Sequence, residues 1–184
     1  MQLPRLYKAE AIILKRRNVS EADRILTLLS KEYGKIVVVA KGVRKITSHR
    51  APYLEVFSQV TLVLHRGKMR DIITEVSPIN GFSNLRKNLT TVNTAYYLCE
   101  LVDVLLPEKQ EQRDVFRFLA ATLLAIDENL YGNVSQYAEE FALTLLRLLG
   151  FLPSDKQLSA QQIQPFIENI VEKKIKSYQF LTKS

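Results

Sequence analysis

The hydrophobic pattern of this chain changes period once, at Ser77-Pro78-Ile79-Asn80-Gly81. Before that point apolar residues tend to alternate with polar ones, the repeat of a strand with one buried face. After it they recur every three or four residues, the repeat of a helix with one buried stripe. No single regular element satisfies both repeats. The pattern therefore predicts an α+β chain, with residues 1–78 forming strands and residues 79–184 forming helices.

Five strands are expected in the first part: Tyr7 to Arg17, Arg24 to Ser30, Lys35 to Ala40, Leu54 to His65, and Met69 to Val76. Asn18, Ser20, Glu21 and Asp23 form a polar turn. Glu32-Tyr33-Gly34 and Arg66-Gly67-Lys68 read as tight turns. The stretch from Gly42 to Tyr53 reads as a longer loop containing Pro52. Five short strands in so short a chain suit a closed barrel, because an open sheet would leave two unpaired edges. The five-stranded oligonucleotide-binding (OB) barrel is the predicted architecture.

The second part reads as an antiparallel helical bundle. The first helix spans Leu85 to Leu106 and closes at Pro107, and the second spans Gln112 to Asp127. The third runs from Leu130 to Leu149, with Gly150 as its C-terminal cap. A fourth lies within Ser159 to Leu181; Pro165 fits its first turn, which would make Ser159 to Gln164 a separate turn. Lys173, Lys174 and Lys176 would then occupy the last turns of that helix, where cations suit the helix dipole.

Charge divides along the same line. Residues 1–70 carry fifteen Lys/Arg and five Asp/Glu, a balance of +10, whereas residues 71–184 carry eleven and fourteen, a balance of −3. The density peaks between Lys35 and Arg70, with eight cations and a single acid, Glu55. Such self-repulsion is tolerated where an anionic partner is usual. Lys35, Lys41, Arg44, Lys45, Arg50, Arg66, Lys68 and Arg70 are therefore candidate phosphate contacts, with Arg16 and Arg24 extending the set. Tyr33 and Tyr53 lie in turns among them and are candidates for stacking on bases; Phe57, in a strand, reads as core. An adaptor whose basic face docks an acidic partner tail is the alternative reading of the same cluster.

Chemistry is poorly supplied. His49 and His65 are the only histidines, and neither sits in a nucleophile or metal-ligand pattern. Glu139-Glu140 and Asp127-Glu128 are neighbours on helices and point apart, so neither is a shared acid–base site. Cys99 is the only cysteine, which excludes an internal disulfide and a cysteine-based metal site. No catalytic residue, metal or cofactor is expected, and a cytoplasmic protein without membrane association is the default reading.

The stretch AEAIILKRRNVSEADRILTLLSKEYGKIVVVAKGVRK, at residues 9–45, together with EVFSQVTLVLHRGKMRDIITE, at 55–75, resembles the barrel of the bacterial RecO family of recombination mediators. YYLCELVDVLLPE at 96–108 and FALTLLRLLGFLP at 141–153 resemble its helical part, and EKKIKSYQFL at 172–181 resembles its closing helix. Many members carry a four-cysteine zinc ribbon after the segment matching LLGFLP. Here SDKQLSAQQIQP stands in that place, so the ribbon reads as excised and no zinc role carries over. The resemblance implies binding of single- and double-stranded DNA, annealing of complementary strands, and RecA loading together with RecR. It also implies contact with the acidic C-terminal tail of single-stranded-DNA-binding protein, at residues the helices do not identify. Lys41 and Arg44, in AKGVR, match the DNA-contact motif most closely.

Overall fold

Each strand of the first part is built to bury one face and pair on two sides. In the computed structural model, which describes residues 4–181, these are β1 (Leu6–Val19), β2 (Asp23–Ser30), β3 (Gly34–Ala40), β4 (Gln59–His65) and β5 (Asp71–Asn80). They close into a barrel in the order β1-β2-β3-β5-β4. All neighbours are antiparallel except β3 and β5, which run parallel through Val38↔Asp71 and Val39↔Ile72 alone. The predicted five-stranded barrel is thus present, with its closure made by the shortest pairing.

β1 makes the closure possible. Its first half, Leu6 to Ile12, pairs with β4, and its second half, Ala11 to Val19, pairs with β2. A bulge between Ile13 and Lys15 bends the strand from one neighbour to the other. Alternation is cleanest on β4, where Val60, Leu62 and Leu64 point inward between half-buried neighbours. They meet Ala9, Leu26 and Val38 in the barrel core.

Two strand boundaries differ from expectation. β4 begins at Gln59 instead of Leu54 because residues 54–58 cap the barrel: Leu54 is buried in its core, and Phe57 takes a left-handed backbone (φ 57°) that lets its N–H donate to the Ile13 carbonyl at 2.7 Å. β5 begins at Asp71 and continues to Asn80, through Pro78. A strand proline lacks the ladder donor, but here the register shifts between Gln59 and Val60, so Pro78 sits beside an irregularity where the missing bond matters less.

The helices are α1 (Leu89–Leu105), α2 (Arg113–Asp127), α3 (Val134–Leu148), α4 (Ala160–Val171) and the single turn α5 (Tyr178–Leu181). Asn88 and Asn133 cap α1 and α3 by accepting from the Thr90 and Ser135 N–H groups at 2.8 and 2.9 Å. Gly150 (φ 76°) ends α3 as expected. α1 packs against α3, and Phe118 of α2 stacks on Phe141 of α3 with centroids 4.8 Å apart. Cys99 is fully buried, and burial pushes its thiol up to about 12, so it behaves as a small apolar side chain. No helix among the described residues is long and apolar enough to cross a membrane.

The C-terminal expectations need correction. α4 starts directly after Ser159, whose N–H donates to the Gln162 side chain at 2.9 Å, and it runs through Pro165. Pro165 and Gln161, whose carbonyl loses its helical donor, are both exposed, so water can take that carbonyl. The helix then stops at Val171, because Glu172 turns left-handed (φ 52°). Lys173, Lys174 and Lys176 therefore lie in a loop and not in a helical last turn. Two glutamates hold that loop. Glu168 accepts from Lys174 and from the Ile175 N–H at 3.2 Å. Glu100 accepts from the Ser177 hydroxyl and from the Lys176 and Ser177 N–H groups at 3.0 and 2.7 Å.

The chain divides into two compact units. The barrel unit, through Gly81, also takes in Pro107–Phe116; the helical unit holds Phe82–Leu106 and the chain from Arg117 onward. The returning segment joins the barrel at β3. Glu108 bridges in parallel to Lys35, and the Lys109 N–H donates to the Lys35 carbonyl at 2.8 Å.

Candidate nucleic-acid interface

Two basic loops mark the two ends of the β3–β5 pair. At the far end of β3, residues 41–50 are stitched to the β1–β2 turn. The Gly42 N–H donates to Asp23 at 2.8 Å, the Arg44 N–H to the Ala22 carbonyl at 2.9 Å, and the Arg44 guanidinium to the Ser20 carbonyl at 3.0 Å. Arg50 braces the loop from the other side. Its Nη1 donates to the Ile73 carbonyl at 3.0 Å and its Nη2 to the Lys41 carbonyl at 2.7 Å. The planar fork of arginine suits two carbonyls at once. Val43 enters the barrel core, so the loop is anchored from inside as well. Lys41 and Lys45 remain exposed, and their ammonium groups have no partner among the described residues. With Arg50 and His49 they border a shallow cleft of about 540 Å³.

At the near end, the β4–β5 turn carries Arg66, Lys68 and Arg70. Gly67 is required there, because a Cβ would lie 2.0 Å from the Arg70 carbonyl oxygen. Asp71 pins the turn by accepting from the Gly67 N–H at 3.1 Å and from the Tyr7 hydroxyl. Burial and that bond to Asp71 hold the Tyr7 phenol well above its ordinary range, so it stays a donor. The Arg66 guanidinium lies over the Tyr7 ring at 4.5 Å and donates to the Pro4 carbonyl at 3.2 Å. Lys68 and Arg70 are exposed and unpartnered among the described residues. A cleft of about 520 Å³ opens between this turn and the returning segment at Glu108 and Lys109.

The ten predicted cations fall into distinct situations. Lys41, Lys45, Lys68 and Arg70 are exposed with free charges. Arg44, Arg50 and Arg66 are exposed or half-buried and donate to main-chain carbonyls, which leaves other guanidinium donors available. Arg16 and Arg24 both bind the Glu55 carboxylate, at 2.9 and 3.0 Å. Lys35 is only 9 % exposed and lies beneath the accessible set. Tyr33 (36 % exposed) packs edge-on against Tyr7 at 4.8 Å, and Tyr53 is 41 % exposed, so each has some open ring surface; Phe57 is core.

Between the two loops, the outer face of the barrel carries cross-strand rows that inspection of single segments does not reveal. Lys15 lies opposite Thr27, which lies opposite Val37; Arg17 lies opposite Ile25, which lies opposite Val39. The β-branched members are half-buried and the two cations exposed. Lys109 was equally invisible in the sequence, because only the return of 107–116 to β3 brings it beside Arg70. Among the described residues, no group of three or more His, Cys, Asp or Glu side chains could hold a metal ion.

The same two parts are matched by family models. Residues 1–82 match "Recombination protein O N terminal" and residues 86–157 match "Recombination protein O C terminal". The second match stops short of 172–181, so the resemblance of that segment to a closing helix has no support there, and the segment is a loop and one turn. Relatives named "DNA repair protein RecO" include those of Roseiflexus sp. (39 % identical over 149 residues, 81 % of this chain and 52 % of the relative) and Symbiobacterium thermophilum (37 % over 153 residues, 81 % and 58 %). The relative from Dehalococcoides mccartyi is 35 % identical over 153 residues, 83 % of this chain and 60 % of its own length. The chain thus spans between half and three-fifths of the relatives it matches. With barrel and helical part each matched in order along the sequence, the chain belongs to the recombination protein O (RecO) family.

Proposed function

We propose that the barrel is a DNA-binding module without chemistry of its own, acting in repair by recombination. It binds single- and double-stranded DNA through phosphates, lowers the repulsion between complementary strands, and so promotes their annealing. The helical part docks protein partners: RecR, with which RecA is loaded, and the acidic C-terminal tail of single-stranded-DNA-binding protein. The observation that carries this reading is the pair of loops with free lysines and arginine at both ends of β3. Phosphate contacts of that kind are indifferent to sequence and release counterions.

The test is oligonucleotide binding against salt. With five or six cations on phosphate, the log–log slope for single strands is about −4, at roughly −0.7 per contact. Lys41→Ala with Lys45→Ala removes two free charges, so the slope becomes shallower by about 1.4 while circular dichroism is unchanged. A slope near zero in the unmodified protein, together with binding of an acidic peptide, would replace the DNA reading by that of an adaptor.

A further inference from the structure

The barrel closes through its shortest pairing. β5 meets β3 only at Val38 and Val39, and the returning segment meets it at Lys35. Between them only Val37 turns its main chain toward this edge without a register partner, since Ile36 directs its main-chain groups at Leu28 of β2. The cleft of about 520 Å³ lies on this gap. Its rim carries Lys68, Arg70 and Lys109, all exposed and with side chains unpartnered among the described residues. Of its two acids, Asp71 is already engaged by Gly67 and Tyr7, which leaves Glu108 as the one exposed carboxylate facing three free cations. Met69 stands at the mouth with 91 % of its surface exposed, an apolar side chain held in water between two charges.

From this arrangement, and resting on the DNA-binding reading above, we propose that the cleft is a pocket for one unpaired nucleotide of a bound strand. The gap offers the Val37 main chain to the edge of a base. Val37 points outward, since Ile36 and Val38 point into the core, and with Met69 it offers apolar surface to the base's faces. Lys68, Arg70 and Lys109 surround the flanking phosphates. The volume falls in the ordinary range for small-ligand sites, roughly 300–1,000 Å³. A peptide adding as a strand fits less well, because the open edge is one residue long and strand addition relies on a run of main-chain bonds. A paired base keeps its edge and faces in the duplex, so the pocket discriminates single strands from double ones.

The experiment compares a dT 15-mer with an abasic 15-mer of the same phosphate number, by fluorescence anisotropy with the full chain at one salt concentration. The unmodified protein should bind the dT strand at least about 5-fold tighter, the lower end of what one base contact contributes. Met69→Ser should reduce that ratio below about 2-fold without touching a charge. Lys109→Ala should weaken both strands alike and make the salt slope shallower by roughly 0.7. Ile46→Ser is the control: Ile46 is a fully exposed apolar side chain on the other basic loop, away from the gap, and its loss should leave the ratio intact. Equal binding of the two strands by the unmodified protein overturns the pocket but not DNA binding. So does an unchanged ratio in Met69→Ser, or an equal loss in Ile46→Ser. Binding of neither strand overturns the DNA-binding reading and the pocket with it.

Discussion

Glu55 is the only acid between Lys35 and Arg70, and it holds two of the candidate phosphate contacts, Arg16 and Arg24. On the DNA-binding reading proposed above, its carboxylate occupies guanidinium donors that a phosphate would take. Replacing it by glutamine keeps the shape and removes the charge. The structural cost is small, because the three side chains are partly exposed, with 36 %, 14 % and 33 % of their surfaces open for Arg16, Arg24 and Glu55; pairs of this kind contribute about 0.2–1 kcal/mol each. Arg24 also keeps its bond to Asn18 at 3.2 Å. The gain in binding is larger. Two freed guanidinium groups, each neutralising a phosphate at roughly 0.7 per contact, steepen the single-strand slope by about 1.4; extrapolated from 1 M to 0.1 M salt this is about 25-fold in affinity. Anisotropy titrations of a dT oligonucleotide between 50 and 300 mM salt, on Glu55→Gln and on the double variant with Arg24→Ala, measure both quantities. The double variant should fall about midway between the single variant and the unmodified protein. A Glu55→Gln protein with a native circular dichroism spectrum and unchanged slope would place Arg16 and Arg24 outside the path of the strand and refute this reasoning.

Two further outcomes follow from packing. In Gly34→Ala, the new Cβ would lie 1.8 Å from the Gln110 carbonyl oxygen on a backbone at φ +67°, so a loss of about 3 kcal/mol in urea unfolding is expected, and a loss below 1 kcal/mol would mean the 107–116 segment is not held against β3. Glu168 is held below the usual carboxylate range, first by its bond to Lys174 and also by Gln164 and the Ile175 N–H. A carboxylate favoured in the fold stabilises above its ordinary pKa of 4.5 and loses that contribution as pH falls through the lowered value. The thermal midpoints of the unmodified protein and Glu168→Gln should therefore differ most at neutral pH and draw together as pH falls below 4.5 and through the lowered value; a gap that is constant with pH would be the contrary result.

Much of the barrel could be read from the chain because its strands alternate cleanly, as Val60, Leu62 and Leu64 do. The errors came where tertiary demands override local pattern. Leu54 to Phe57 looks like the start of a strand, yet it is spent on capping the barrel end. Pro78 looks like a stop, yet a bulge absorbs it. The basic loops were legible by charge density alone, and Lys41 and Lys45 are where that density is free. What charge counting misses is pairing. Nothing in the sequence announces that Glu55 reaches Arg16, thirty-nine positions away, or that Arg50 is committed to two carbonyls. Lys109 sits in PEKQEQ, a stretch with no hydrophobic period, so its place beside the β4–β5 turn depends on a return of the chain that periodicity does not encode.

That return also sets an order of events during synthesis. Gly34 and Gln110, which touch in the folded barrel unit, are 76 positions apart. At about 5–20 residues per second, a ribosome leaves the edge of β3 without its cover for roughly 4–15 s. A fragment ended near Gly81 would keep that edge open permanently, as a ready template for a strand from another chain. Shortening this protein to its barrel therefore calls for retaining, or grafting back, the stretch from Pro107 to Phe116.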